Sequence, residues 1–250
     1  MKLLLINPNI SQSVSDLIEA EARRAAAPGT EVTVMTAQFG MAYIETRFES
    51  LIGAYATATI AAEQCGNYDA IVVAAFGDPG IDGLREALDI PVVGMTESAL
   101  MSACLLGKRF SIIAISRRIT AWYREVVQAN GLEGRLASIR CLDTPLRSIG
   151  AVQEDHGETL RALCQAAVDE DGADVIIIAG APLAGLARSI KGQIPVPVVD
   201  GVSSAVCHAQ TLASLNPSPA QRGSFARPPK KDHKNLPQGI AKLLYGEPSA

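Results

Sequence analysis

The residues of this chain that could do chemistry gather at a few turns. Ala75-Phe-Gly-Asp-Pro-Gly80 sets one carboxylate, Asp78, inside a glycine turn, while Gly180-Ala-Pro-Leu-Ala-Gly185 is a second such turn with no ionisable group. Asn7 and Asn9 flank Pro8, and Ser116 precedes Arg117, Arg118, Trp122 and Tyr123. Backbone N–H groups of glycine turns that open helices suit a carboxylate, an imide oxygen or an enolate. Asp78, Ser116 and Tyr123 are the candidates for moving protons. Asn7, Asn9, Ala75, Phe76, Gly77, Thr96, Arg117, Gly180, Ala181 and Pro182 are the candidates for binding, with Arg117 able to grip a carboxylate through two parallel hydrogen bonds. Ordinary turn chemistry explains Asp-Pro-Gly equally well, so position in the fold must decide.

The elements that would position these turns are legible. Short Val- and Ile-rich runs at 2–6, 31–36, 70–74, 91–94, 110–115, 136–141, 175–179 and 196–199 read as strands. Most are apolar on both faces, the mark of parallel strands covered by helices. Helices are expected at about 11–27, 50–66, 81–88, 96–106, 119–130, 151–170, 183–191 and 202–214. Ser11 and Ser13 offer N-caps for the first, with Asp16 at capping-box spacing from Ser13. Thr96, Glu97 and Ser98 open the helix after the fourth strand. Residues 216–236, with Pro, Gly and five basic side chains, read as an extended connector before a last helix at 237–245. Strand and helix alternation predicts an α/β fold with right-handed crossovers.

An internal repeat sharpens this. Asp69-Ala-Ile-Val-Val-Ala-Ala75 matches Asp174-Val-Ile-Ile-Ile-Ala-Gly180 at an offset of 105, and Pro91-Val-Val-Gly94 matches Pro197-Val-Val-Asp200 further on. Two duplicated, pseudo-symmetric halves are therefore expected, each a mostly parallel sheet flanked by helices. The first is 1–96 completed by 203–250, and the second is 97–202. The turns after Ala75 and Gly180 would face a common cleft, beyond the carboxyl ends of the strands.

The 250 residues, 48% apolar, suffice for a buried core in each half, and a net charge of −4 without a basic stripe argues against nucleic acid. Five scattered cysteines without metal spacing read as reduced thiols, and neither a leader nor a membrane span is expected, which predicts a cytoplasmic protein. No metal or cofactor is expected. The first strand runs into Asn-Pro-Asn and not into Gly-x-Gly-x-x-Gly, which argues against a dinucleotide enzyme.

Leu-Ile-Asn7-Pro8-Asn9, Ala74-Ala75-Phe76-Gly77-Asp78-Pro79-Gly80 and Pro197-Val-Val-Asp200-Gly201, in that order, resemble the aspartate/glutamate/hydantoin racemase superfamily, above all its hydantoin and allantoin racemases. The resemblance implies a site between two α/β halves, cofactor-independent chemistry at a carbon next to a carbonyl, a small cyclic ureide or amino-acid-like carboxylate as substrate, and homo-oligomers. It also implies a cysteine after each repeated strand, where this chain has Ala75 and Gly180. Cys65, Cys104, Cys164 and Cys207 fall in expected helices and are expected to be small core residues. Racemisation needs two opposed bases and an enolate-stabilising pocket, and alanine and glycine accept no proton. Three readings stay open: an enzyme of this class with replaced bases, a hydrolase or a lyase (decarboxylase) using Asp78, Ser116 or Tyr123, and a binding protein for small carboxylates.

Overall fold

The computed structural model describes residues 1–64, 66–144 and 146–245. Cys65 lies outside the described residues. Eight strands form two parallel four-stranded sheets. The first comprises β1 (Lys2–Asn7), β2 (Glu31–Thr36), β3 (Ala70–Val73) and β4 (Val92–Gly94), in the order β2-β1-β3-β4. The second comprises β5 (Phe110–Ala114), β6 (Leu136–Cys141), β7 (Val175–Ile178) and β8 (Val198–Asp200), in the matching order β6-β5-β7-β8. Leu3–Ile6 and Val175–Ile177 are fully buried, so the runs without polar alternation are the central strands.

The helices are α1 (Gln12–Ala25), α2 (Arg47–Gln64), α3 (Ile81–Ala87), α4 (Met95–Leu106), α5 (Thr120–Ala129), α6 (Val152–Asp169), α7 (Leu186–Ser189), α8 (Gly201–Leu215) and α9 (Gln238–Tyr245). The last helix after each set of strands crosses over: α4 packs on β7 and β8 as well as on β4, and α8 packs on β1, β3 and β4 as well as on β8. The two helices also pack on each other, which fastens the sheets together. After α8 an extended segment leads to α9, which lies on α2 and α3.

Three expectations need correction. Ser11 alone caps α1, accepting from the Val14 N–H at 3.4 Å, while Asp16 accepts from Gln12 instead of closing a box with Ser13. The helix expected at 183–191 is a 3-10 turn at Ala181–Leu183 followed by the four residues of α7. Gly185 interrupts it by taking φ +84°, a left-handed conformation that a helix cannot propagate. Cys207 is exposed and Cys104 half-buried, whereas Cys164 is buried in the core, which pushes its thiol up to about 12.

Candidate functional site

In each sheet the chain leaves the first strand in one direction and returns on its other side, so the turns after β1 and β3, and after β5 and β7, emerge as neighbours. Contacts then run between halves. The Phe76 and Tyr123 ring centres are 4.6 Å apart, and the Trp122 indole lies over Gly77 so closely that a Cβ there would sit 2.2 Å from a ring carbon. Gly77 also takes φ +110°, which makes any side chain doubly costly. Across the fold, the 3-10 turn after β7 packs on α1. Arg47 of α2 pairs with Glu125 of α5 at the rim.

Asp78 adopts φ +47°, a left-handed conformation that Asp tolerates better than most residues. Its Oδ1 accepts from the Thr96 N–H at 2.8 Å and its Oδ2 from the Glu97 N–H at 2.9 Å. The carboxylate thus caps α4 from a different loop. Thr96 Oγ1 accepts from the Gly77 N–H at 2.5 Å, so turn and helix hold one another. In the second half Asp200 does the same work from the strand end. Its Oδ1 accepts from the N–H groups of Val202 and Ser203, and its Oδ2 from that of Gly185 at 2.7 Å. Asp200 is the repeat counterpart of Gly94, and a Cβ on Gly94 would lie 2.3 Å from Asp78 Cγ. One carboxylate per half joins glycine turn to helix, and only its place of origin differs.

Burial pushes the Asp78 carboxyl from 3.8 up to about 7, against the pull of the two backbone N–H groups and with Glu97 nearby raising it further. A raised folded-state value means that the neutral acid is favoured on folding. Its stabilising contribution is full below about pH 4 and is lost as pH rises through 7, at about 1.4 kcal/mol per pH unit. Asp200 is raised in the same sense by burial. Glu21 is lowered: its burial works upward, but hydrogen bonds from Arg24 and Ser203 outweigh it. The wild-type slope therefore mixes signs, and the difference from Asp78→Asn isolates one group. Chemical denaturation from pH 4 to 7 should show the wild type losing stability relative to Asp78→Asn, and parallel profiles would refute the assignment.

A cavity of about 370 Å³ opens where the ends of β5 and β6 meet the segment after β2. Ser116, Arg117, Arg118, Tyr43, Glu45, Asp143 and Thr144 supply its polar wall, and Ile115, Leu142 and Leu146 its apolar one. Ser116 is half-buried and accepts from the Arg118 N–H, capping the short turn that aims both arginines. Arg117, the expected carboxylate clamp, already pairs with Asp143 at 2.7 Å. Arg118 makes no ion pair among the described residues and stands close enough to Tyr43 to lower that phenol, which burial and then Glu45 and Glu49 raise.

The other expected site residues divide. Asn7 is fully buried, and its Nδ2 donates to Asn9 Oδ1, the Ser11 carbonyl and Ser15 Oγ, so it has no donor left for a substrate. Thr96 is likewise fully buried and engaged. Asn9 is used through its oxygen, which accepts from Ser11 N–H, while its Nδ2 has no acceptor among the described residues. Phe76 and Tyr123 are packed ring on ring and nearly inaccessible, and burial raises the Tyr123 phenol, with Asp78 adding to it. Ala75 and Ala181 are buried. The Pro182 carbonyl accepts from Gln153 of α6. Gly180 takes φ +102° and ψ 138°, which residues with a Cβ rarely adopt. The sequence marks Tyr43 and Glu45-Thr46-Arg47 as a segment that could fold over the site, with its role open, and Tyr43 and Glu45 line this cavity. Their position after β2, the strand next to β1, was the available signal.

Among the described residues no helix is long and apolar enough to cross a membrane, and no group of three or more His, Cys, Asp or Glu could hold a metal. Residues 3–209 match the family described as Asp/Glu/Hydantoin racemase. The hydantoin racemase of Paenarthrobacter aurescens is 33% identical over 238 residues, covering 93% of this chain and 100% of the relative. That of Pseudomonas sp. (strain NS671) is 32% identical over 236 residues, covering 93% and 94%. The allantoin racemase from Klebsiella pneumoniae superposes with a TM-score of 0.91 at 31% identity, over 96% of this chain and 98% of the other.

Proposed function

The chain belongs to the Asp/Glu/hydantoin racemase family, and from that premise we propose that it binds a small cyclic ureide or amino-acid-like carboxylate in the cleft between residues 1–96 with 203–250 and residues 97–202. We propose further that it acts there at the carbon next to a carbonyl, without a thiol pair and without a cofactor. The observation that carries this reading is the pair of glycine turns, each tied by one buried carboxylate to the helix after the edge strand, α4 or α8. The N–H groups of Gly77, Asp78 and Gly185 are spent within the frame, whereas those of Phe76 and Ala181 make no hydrogen bond among the described residues and can stabilise an enolate oxygen with no reorganisation as charge develops.

The roles follow from the cavity wall and from the turns after β1 and β3. Arg118 holds the substrate's carboxylate or an imide oxygen, Ser116 and the Asn9 amide add hydrogen bonds, and Phe76, Trp122 and Tyr123 form the rigid base under the first turn. Asp78 acts as a positioning residue, because both of its oxygens are engaged by backbone donors. Glu45 and Tyr43 are the ionisable acids of the wall besides Asp143, which is paired with Arg117. The family resemblance also suggests self-association, which light scattering would measure.

A second reading has its own support. Gly180 combines the lack of a side chain with a glycine-only backbone, and Ala75 likewise carries no base, so neither family position can remove a proton. Cleavage of a carbon–carbon bond to carbon dioxide generates the same enolate without removing a proton, and a single protonation by an acid of the cavity wall completes it.

Arg118→Gln is the test of the binding mode. The expected result is a rise in KM or Kd of about tenfold or more for a carboxylate substrate, as for a lost charge-assisted hydrogen bond, with an unchanged melting temperature. An equal loss for Arg117→Gln with none for Arg118→Gln would overturn the assignment.

A further inference from the structure

Beside the open edge of β8 lies a cavity of about 650 Å³ that shares no lining residue with the cavity at Ser116. We propose that it binds a small organic anion, a carboxylate or phosphate head on a short apolar body. Its floor is apolar, from Ile194, Val196, Val198 and Leu106. Its rim carries three cations, Arg24, Arg188 and Lys191. A mostly apolar pocket of this size with a few convergent polar groups is the usual form of a small-molecule site.

The charge is held in place beforehand. Glu21 of α1 is 2% exposed and lies between the two arginines, 3.0 Å from Arg24 Nε and 3.4 Å from Arg188 Nη2. Both guanidiniums are thereby oriented before any ligand arrives, which lowers the entropy cost of binding. Two carboxylates oppose three cations here, Glu21 and Asp200, and Asp200 already accepts three backbone N–H bonds. Lys191 makes no ion pair among the described residues. Ser102 and Ser204 add hydroxyls to the wall, so an anionic head meets donors as well as charge.

The internal repeat supplies a control. β4 is the edge strand of the first sheet as β8 is of the second. The groove beside β4 holds only about 210 Å³, because the chain's own Pro217–Ala220 forms one wall. That segment is fastened further on, where Arg227 pairs with Asp89 at 3.1 Å and Arg85 stands 6.0 Å from the centre of the Phe225 ring. The segment follows α8. Its counterpart after α4 is the short link 107–109 into β5, which leaves the β8 groove open.

Cys207 lines this cavity and is exposed, so its alkylation reports on occupancy. The experiment follows iodoacetamide labelling of Cys207 by peptide mass spectrometry at fixed pH and ionic strength, with rising phenyl phosphate, benzoate or neutral benzamide. The expected result is saturable protection by one or both anions and none by benzamide, the stronger anion naming the head group. Lys191→Gln, on an exposed side chain that should leave the melting temperature unchanged, should raise the half-protecting concentration by about fivefold, the effect of one exposed ion pair. Absence of protection by both anions, equal protection by benzamide, or an unshifted midpoint in Lys191→Gln would overturn the proposal. None of these readouts depends on the cleft, so the two assignments fail or stand separately.

Discussion

Gly94→Ala is expected to lower the melting temperature by roughly 6–12 °C and to remove activity, although it adds a single methyl group. The added Cβ would lie 2.3 Å from Asp78 Cγ and 2.4 Å from Oδ2. The carboxylate cannot yield without dropping the Thr96 and Glu97 N–H groups that it caps. Overpacking and the lost cap together cost about 3 kcal/mol. The repeat predicts the remedy. In the second half the capping carboxylate sits on the strand end, at Asp200, opposite the Gly185 N–H. Asp78→Gly combined with Gly94→Asp transfers the first half to that arrangement and should recover most of the lost stability. Thermal melts of both single variants and the double decide it. Simple additivity of the two losses would show that the sites do not share one carboxylate.

Ala75→Cys has the other large expected effect. Residue 75 follows the third strand, at the position where the family resemblance implies a thiol, and the turn behind it is intact, with the Asp78 N–H donating to the Ala75 carbonyl at 3.1 Å. A thiolate there would face the substrate from one side only. In heavy water the variant should exchange the proton next to the carbonyl about a hundredfold faster than wild type, the usual gain from a positioned base. It should do so with retained configuration, because Gly180 offers no second base. NMR reads the exchange and chiral chromatography the configuration. Gly180→Cys should instead destabilise the fold by about 1–3 kcal/mol, since φ +102° strains any residue with a Cβ. Exchange in Ala75→Cys no faster than in wild type would remove Ala75 from the reacting face.

Much of the architecture was legible because it is written in local pattern. The double-faced apolar runs gave the eight strands, and the repeated Asp and Pro markers pointed to two equivalent halves, which the two sheets of matching strand order bear out. The site was legible only as a set of turns. Asn7 and Thr96 read as polar groups at strand ends, yet both are consumed by hydrogen bonds within the frame, which no spacing reveals. The Asp78 cap on α4 spans 18 and 19 residues, beyond any local capping signature. Arg117 and Arg118 are adjacent in sequence, and only the position of Asp143 after β6 tells which one is paired. The Gly185 break in the expected helix depends on a φ value that the residue type permits without requiring.

The central claim is that the cleft generates and protonates an enolate, and solvent deuterium tests it most directly. Wild-type protein in heavy water is incubated with hydantoins, allantoin and amino-acid-like carboxylates, and the carbon next to the carbonyl is followed by NMR. Whether a carbon–hydrogen or a carbon–carbon bond breaks, the account predicts one solvent deuterium at that carbon in every molecule turned over, with the rate reduced in Arg118→Gln. Turnover that leaves this carbon without deuterium, or no deuterium on any substrate, would contradict it.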